Sequence, residues 1–285
     1  MAGARLRVRV QPTVSCPVPT ITRGRCNEMD VKRGMSRLIL SLFATVLAVS
    51  RTAAQPAIDY ARENRWAQEV VPSIVVGDAV WLATPLRAKV LAILAMPSGA
   101  PKGGVVVVHG LGVHPDFGMI GGIRTYLADA GYATLSVQMP VLPAGASRDD
   151  YSITLPDAAG RIGAAIAFLR TKGIEKIAIV SHSMGATMAD ASLARVGAAK
   201  IDAWVPVGMF AEFASPPKEP ILDIMAENEL AQVVAAAPKR AKQLPRDACS
   251  AQVTISGTDH YFAVRQKELA AAIAAFLDRV FSGRC

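Results

Sequence analysis

Short, continuously apolar runs recur from residue 79 to residue 256, and between them lie longer segments in which apolar residues return every three or four positions. The four valines at 105–108 are typical of a strand buried on both faces of a parallel sheet. Residues 157–172 instead place Ile162, Ile166 and Leu169 on one stripe of a helix. This alternation predicts an α/β fold, with a mostly parallel central sheet of about eight strands and helices on both of its faces. The predicted strands are residues 79–84, 88–96, 104–108, 133–137, 177–180, 203–207, 221–225 and 251–256.

The charge is unevenly distributed along the chain. Lys and Arg (31) outnumber Asp and Glu (23), which gives a net charge of +8. Such an excess would suggest a nucleic acid or an anionic membrane as partner if it were spread over the folded part. However, nine of the cations and only two of the anions lie in residues 1–54, so residues 55–285 have a net charge of +1. We therefore expect no nucleic-acid partner for the single domain predicted over residues 55–285.

Residues 35–54 have the organisation of an export signal. A basic segment, residues 32–37, precedes an apolar run of 12 residues, 38–49, and small residues follow up to Ala54, as a signal peptidase requires. A membrane-spanning helix needs roughly 20 apolar residues. We therefore expect cleavage after Ala54, no stable membrane span and a periplasmic or secreted product; an uncleaved anchor is the alternative. We expect residues 1–34 either to precede a true translation start at an internal methionine or to be a disordered leader.

The cysteine content agrees with export. Only Cys249 and Cys285 follow the predicted cleavage site, an even number for an oxidising compartment. A helix of about 18 residues spans roughly 27 Å, and a strand of about seven spans roughly 23 Å. A final helix antiparallel to the strand at 251–256 would therefore return to that strand's start. We predict a disulfide between Cys249 and Cys285, with two free thiols as the alternative.

The segment most informative about chemistry is 176–186, where an apolar strand runs into Ser183 and then into a segment that can form a helix. A serine on such a tight turn presents its hydroxyl above the sheet edge. The amides of the following helical turn face the same point, which joins a nucleophile to an anion-stabilising site. A side chain at Gly185 would strike the neighbouring strand.

Two of the turns resemble motifs of the α/β-hydrolase superfamily. Ser181-His182-Ser183-Met184-Gly185 resembles its G-x-S-x-G nucleophile elbow, with Ser181 in place of the first glycine. His109-Gly110-Leu111-Gly112, directly after strand 104–108, resembles its His-Gly oxyanion loop. The resemblance implies that Ser183 is the nucleophile and that the amides of Leu111 and Met184 form the oxyanion hole.

Two later turns complete the resemblance, which covers residues 78–281. Strand 221–225 ends in Ala226-Glu227-Asn228-Glu229, where the superfamily has Gly-x-x-Asp, so that Glu229 aligns with the catalytic acid. Strand 251–256 ends in Gly257-Thr258-Asp259-His260, which is similar to the turn that carries the catalytic histidine. The order Ser, acid, His is the order of this superfamily. Glu227 and Glu212 remain alternatives for the acid.

These observations predict an exported serine hydrolase that cleaves a small-molecule carboxylic ester, or a thioester or amide, through an acyl-Ser183 intermediate. Any lid should be small and come from residues 140–155 and 209–220. No cofactor is implied, and without an H-x-x-x-H pair or nearby cysteine ligands we expect no metal site at His109, His182 and His260. A non-catalytic binding or envelope-associated protein of the same fold is the alternative, motivated by the departures at Ser181 and Glu229.

Overall fold

A computed structural model describes residues 57–285 of the chain. They form one eight-stranded sheet in the order β1-β2-β4-β3-β5-β6-β7-β8. The predicted export signal at 35–54 and the rest of the leader lie outside the described residues. The strands are β1 (Asp78–Thr84), β2 (Arg87–Ala95), β3 (Gly104–Val108), β4 (Ala133–Val137), β5 (Ile177–His182), β6 (Ala203–Val207), β7 (Leu222–Asn228) and β8 (Ala251–Asp259).

The sheet is parallel from β4 to β8, whereas β2 pairs antiparallel with both β1 and β4. This confirms the predicted α/β-hydrolase fold with its mostly parallel sheet and its starting hairpin. β7 and β8 both extend about three residues beyond their predicted ends, because pairing continues to the partners Asn228 and Asp259 after a register shift.

Within residues 57–285, six α-helices accompany the sheet: α1 (Tyr60–Val70), α2 (Met119–Asp129), α3 (Leu155–Thr171), α4 (Met184–Leu193), α5 (Ala231–Gln243) and α6 (Gln266–Phe281). The valines of β3 divide between two cores, as a strand buried on both faces requires. Val106 and Val108 pack with α3 and α4, while Val105 and Val107 pack with α2 and α6. The apolar stripe of α3 faces the first core, and that of α6 faces the second.

The other predictions about the fold concern two loops, the disulfide and the absence of a membrane-spanning helix. Within 140–155 a 3-10 helix spans Asp149–Thr154 before α3 begins, and residues 209–220 form no helix or strand. Cys249 and Cys285 are joined by a disulfide, as the lengths of β8 and α6 predicted. None of the helices within residues 57–285 has the length and apolar character needed to span a bilayer.

Candidate active site

Ser183 occupies the turn between β5 and α4, and its backbone conformation is strained. Its φ of 55° and ψ of −120° fall in a sparsely populated region for a residue with a side chain. Two backbone hydrogen bonds hold the turn: the amide of Ser183 donates to Val207 O at 2.9 Å, and the amide of Ala186 donates to Ser183 O at 2.9 Å. Holding this conformation costs on the order of 1–3 kcal/mol, which the surrounding structure must supply.

Gly185 allows helix α4 to begin directly against strand β3. A Cβ built on this glycine would lie 2.3 Å from the carbonyl oxygen of His109 and 2.7 Å from that of Val108. Both atoms belong to the backbone, so displacing them would cost conformational energy. This confirms the prediction that a side chain at position 185 would strike the neighbouring strand.

Ser183, His260 and Glu229 form one continuous hydrogen-bonded chain. The Nε2 atom of His260 lies 2.9 Å from Ser183 Oγ, and its Nδ1 atom lies 2.7 Å from Glu229 Oε2. The carboxylate has no exposed side-chain surface, and the His260 side chain is only 5% exposed. This geometry has the nucleophile within reach of a base and the base within reach of an orienting carboxylate.

Glu229 is surrounded by donors that stabilise its charged form. Burial by itself raises the pKa of this carboxyl. The hydrogen bond and the charge of His260, together with the backbone amides of Leu230 and Ala226, lower the pKa below its ordinary value of 4.5 overall. The group is therefore an ionised carboxylate at neutral pH.

The two alternative acids lie elsewhere. Glu227 is exposed and accepts a hydrogen bond from the amide of Gly257 at 2.8 Å. Glu212 pairs with Lys239 at 2.6 Å, and both of these side chains are about half exposed. Of the three candidates, the structure brings only Glu229 into contact with His260.

Gly208 borders the hydrogen-bonded side chains of His260 and Glu229, a position that the sequence did not indicate. It directly follows β6, with φ of +58°, and a Cβ there would lie 2.8 Å from His260 Cε1 and 3.0 Å from Glu229 Oε1. Only glycine leaves room for the imidazole and the carboxylate to meet at this point. The available signal was a glycine at the carboxyl end of a buried strand, the edge at which the other motifs lie.

His182 packs against His260 and was not assigned a role from the sequence. Its Nε2 atom donates a hydrogen bond to the backbone carbonyl of His260 at 3.0 Å, and the two ring centroids are 4.7 Å apart. Burial, with a smaller contribution from the charge of His260, lowers the pKa of His182 to about 4. A neutral ring therefore supports both the backbone and the imidazole of His260 without opposing a positive charge on it.

His109 supports the loop 109–112 from within the core. Its Nε2 atom accepts the amide of Met139 at 2.8 Å, which assigns the ring proton to Nδ1, 2.9 Å from the carbonyl oxygen of Gly110. Burial lowers the pKa of His109 to about 3, so the ring is neutral. A Cβ on Gly110 would lie 3.3 Å from the Cβ of Ser183, so this loop borders the serine directly.

The amides of Leu111 and Met184 stand at the two turns beside Ser183. Met184 is the first residue of α4, where backbone N–H groups have no partner within the helix. Neither amide donates a hydrogen bond to another group within residues 57–285. An amide that has no partner inside the protein can donate to a bound acceptor.

No group of three or more His, Cys, Asp or Glu side chains within residues 57–285 could hold a metal ion. Four large apolar side chains from the segments that follow β3, β4 and β6 pack in the cores: Met139, Met209 and Phe213 in the cluster with α3, and Met119 in the cluster with α2. Asp223 is fully buried in a pair with Arg240.

A strained serine between a buried strand and a helix, facing a histidine and a carboxylate at the ends of later parallel strands, defines the site of an α/β hydrolase. The model of the alpha/beta hydrolase family matches residues 105–281. The chain therefore belongs to the alpha/beta hydrolase family.

Solved structures with this fold are numerous, and all of those compared below are less than 25% identical in sequence. Est1E from Butyrivibrio proteoclasticus has a TM-score of 0.57 and 16% identity, over 72% of this chain and 99% of that one. A serine hydrolase without a lid from Xanthomonas campestris has a TM-score of 0.58 and 16% identity, over 72% and 95%. Dienelactone hydrolase from Anabaena variabilis has a TM-score of 0.55 and 20% identity, over 71% and 96%. No curated protein sequence matches the chain significantly.

Proposed function

We propose that this protein is a serine hydrolase that cleaves a small-molecule carboxylic ester, with thioesters and amides as related substrates. The observation that carries the proposal is the continuous hydrogen-bonded chain from Ser183 Oγ through His260 to Glu229. An ester is favoured because the solved neighbours include proteins named as esterases.

In the proposed reaction, Ser183 Oγ attacks the acyl carbon and its proton passes to His260 Nε2. The bond to the leaving oxygen then breaks, and His260 returns the proton to that oxygen. A water molecule repeats the sequence on the acyl-serine: His260 takes its proton, and the acid leaves as Ser183 regains a proton. Glu229 keeps the imidazole in the tautomer with its proton on Nδ1 and stabilises the imidazolium that forms in each step.

The negative charge that develops on the acyl oxygen needs fixed donors. We assign this role to the amides of Leu111 and Met184. Fixed N–H groups are effective because they need no reorganisation as the charge develops, and loss of one such donor typically costs about a hundredfold in rate.

Labelling with a fluorophosphonate probe tests the proposal, because the probe reacts only with an activated serine. We expect wild type to be labelled and Ser183→Ala not to be. Ser152→Ala removes an exposed serine in the 3-10 helix and should be labelled like wild type. If wild type is not labelled, the non-catalytic binding protein becomes the better hypothesis.

We further propose that the protein is exported, to the periplasm or the medium, after cleavage near Ala54. The disulfide between Cys249 and Cys285 is compatible with an oxidising compartment. N-terminal sequencing of the mature protein tests this: a start at residue 55 supports export by a cleaved signal. A chain that retains the apolar run at 38–49 would instead be anchored.

A further inference from the structure

The side chain of Arg62, on helix α1, joins two loops at the edge of the site. Its Nη2 atom donates to the carbonyl oxygen of Gly112 at 3.1 Å, and its Nη1 atom donates to that of Leu142 at 2.9 Å. Gly112 closes the loop 109–112, and Leu142 lies in the segment that follows β4. Helix α1 precedes the stretch that matches the family model, residues 105–281.

Contacts within helix α1 also position the guanidinium of Arg62. It lies over the ring of Trp66, one turn further along α1, with 4.5 Å from its Cζ atom to the ring centroid. The backbone amide of Arg62 is fixed as well, because it donates to the capping carboxylate of Asp59 at 2.8 Å. A planar, pre-positioned fork can bind two acceptors at once with little loss of side-chain entropy.

Helix α1 is itself anchored to the core. The buried carboxylate of Glu63 accepts hydrogen bonds from Arg161 at 3.0 and 3.2 Å and from Arg87 at 2.8 Å. The amide of Asp59 donates to Val141 O at 2.7 Å, next to the Leu142 carbonyl. Arg62 therefore extends from a rigid base.

Within residues 57–285, the carbonyl of Gly112 accepts a hydrogen bond from Arg62 and from no other group. Gly112 has a φ of +69° and directly follows Leu111, whose side chain is 38% exposed. Glycine can adopt several backbone conformations of similar energy, so its orientation must be set by its partners. Fixing the Gly112 carbonyl restricts rotation of the backbone on the carboxyl side of Leu111, the residue whose amide we assign to the oxyanion.

We propose that Arg62 is a positioning residue that holds the oxyanion loop in its productive orientation, so that helix α1 is part of the active site. The inference rests on the proposed hydrolase function. It predicts an effect on the transition state, in which the acyl oxygen carries charge, and little effect on binding of the uncharged substrate.

The test compares Arg62→Met, which keeps the apolar stem, with Arg62→Lys, which has a single charged donor group. Arg65→Met is the matched control, since Arg65 is exposed on the same helix. With p-nitrophenyl butyrate, and rates expressed per fluorophosphonate-titrated site, we expect Arg62→Met to lower kcat about tenfold or more while KM changes less than about twofold. Arg62→Lys should be intermediate and Arg65→Met unchanged.

A second measurement distinguishes a positioning role of Arg62 from a contribution to the stability of the protein alone. Binding of a trifluoromethyl ketone, which forms a charged adduct with the serine, should weaken in Arg62→Met by the same factor as kcat/KM. A lowered Tm with unchanged kcat and unchanged ketone binding would overturn the proposal. If Arg62→Met does not fold, Arg62→Lys decides: a fall in kcat of several-fold supports the role, and wild-type kcat overturns it. Failure of the proposed function is distinguishable, because wild type would then not be labelled.

Discussion

The indole Nε1 of Trp204 donates a hydrogen bond to the hydroxyl of Ser181 at 2.8 Å, and both side chains are fully buried. Ser181 lies where the nucleophile-elbow motif has a glycine, and its Cβ occupies space that a glycine would leave free. In the structure, the hydroxyl of Ser181 is the acceptor for the indole N–H of Trp204. A buried indole N–H needs an acceptor, and strand β5 provides one for the tryptophan on the neighbouring β6.

Ser181→Ala should therefore destabilise the protein without altering its chemistry. The substitution leaves the Trp204 N–H buried without a partner, which typically costs about 1–3 kcal/mol of the free energy of unfolding. Urea unfolding measures this loss, and kcat per titrated site should match wild type. In a Trp204→Phe background the same substitution should cost much less, because no N–H remains to be satisfied. Equal costs in both backgrounds would contradict the assigned bond.

The motif turns could be predicted from the sequence because strand periodicity and local turn chemistry carry the signal. Strand β3, for example, is fully buried, so its four consecutive valines specify it without reference to any partner. Likewise, Ser183 and Gly185 could be predicted because both belong to one short strand-to-helix turn with a recognisable local sequence, although the atoms that exclude a Cβ at Gly185 belong to the backbone of residues 108 and 109. Placing Ser183, Glu229 and His260 at one edge then needs only the rule that parallel strands end at the same side of the sheet.

The features that the sequence did not reveal depend on contacts between distant parts of the chain. Gly208 matters because the turn after β6 meets Glu229 and His260, which follow β7 and β8. Arg62 matters because it donates hydrogen bonds to the loops after β3 and β4. Trp204 and Ser181 are 23 positions apart and meet only through the order of the strands. No local pattern marks such a partner, because any of several strands could have been the neighbour.

Glu229→Gln tests which carboxylate orients His260. The amide cannot stabilise the imidazolium, and it can select the wrong tautomer, so we expect kcat to fall by roughly 10³–10⁴-fold. Glu227→Gln is the matched control, as Glu227 is two positions away in the same segment and its carboxylate accepts a hydrogen bond from the amide of Gly257. Steady-state kinetics on a p-nitrophenyl ester measure both. A large loss in Glu227→Gln, with Glu229→Gln near wild type, would reverse the assignment of the acid.

Gly208→Ala should separate His260 from Glu229. The added Cβ would lie within 3.0 Å of both side chains, so one of them must shift. We expect a fall in kcat of about a hundredfold, typical of a displacement near 1 Å. Gly197→Ala is the matched control: Gly197 also has a positive φ, of +74°, but its Cβ would meet nothing within 4 Å. Both variants should lose stability from backbone strain, and only Gly208→Ala should lose kcat; equal rates would show that the imidazole tolerates the methyl group.

Stability should fall between pH 7 and pH 4 because two buried histidines are neutral in the folded protein. Burial lowers the pKa of His109 to about 3 and that of His182 to about 4, from an ordinary value of 6.5. Below pH 6.5 the unfolded chain therefore binds protons that the folded chain does not, and the free energy of unfolding decreases as the pH falls. Asp190 acts in the opposite direction, since burial raises its pKa to about 6 and the folded protein takes up its proton first.

Two histidines outweigh one aspartate, so we expect these three groups together to lower the free energy of unfolding by about 4 kcal/mol across this range, at about 1.4 kcal/mol for each unit of pKa shift. Urea unfolding at pH 4, 5, 6 and 7 measures the slope. His109→Gln removes one of the two opposed protonations, and its slope should be shallower than that of wild type. Asp190→Asn removes the compensating group, and its slope should be steeper, because Asp190 then no longer offsets the two histidines. Parallel profiles for all three proteins would mean that other groups control the acid sensitivity of the fold.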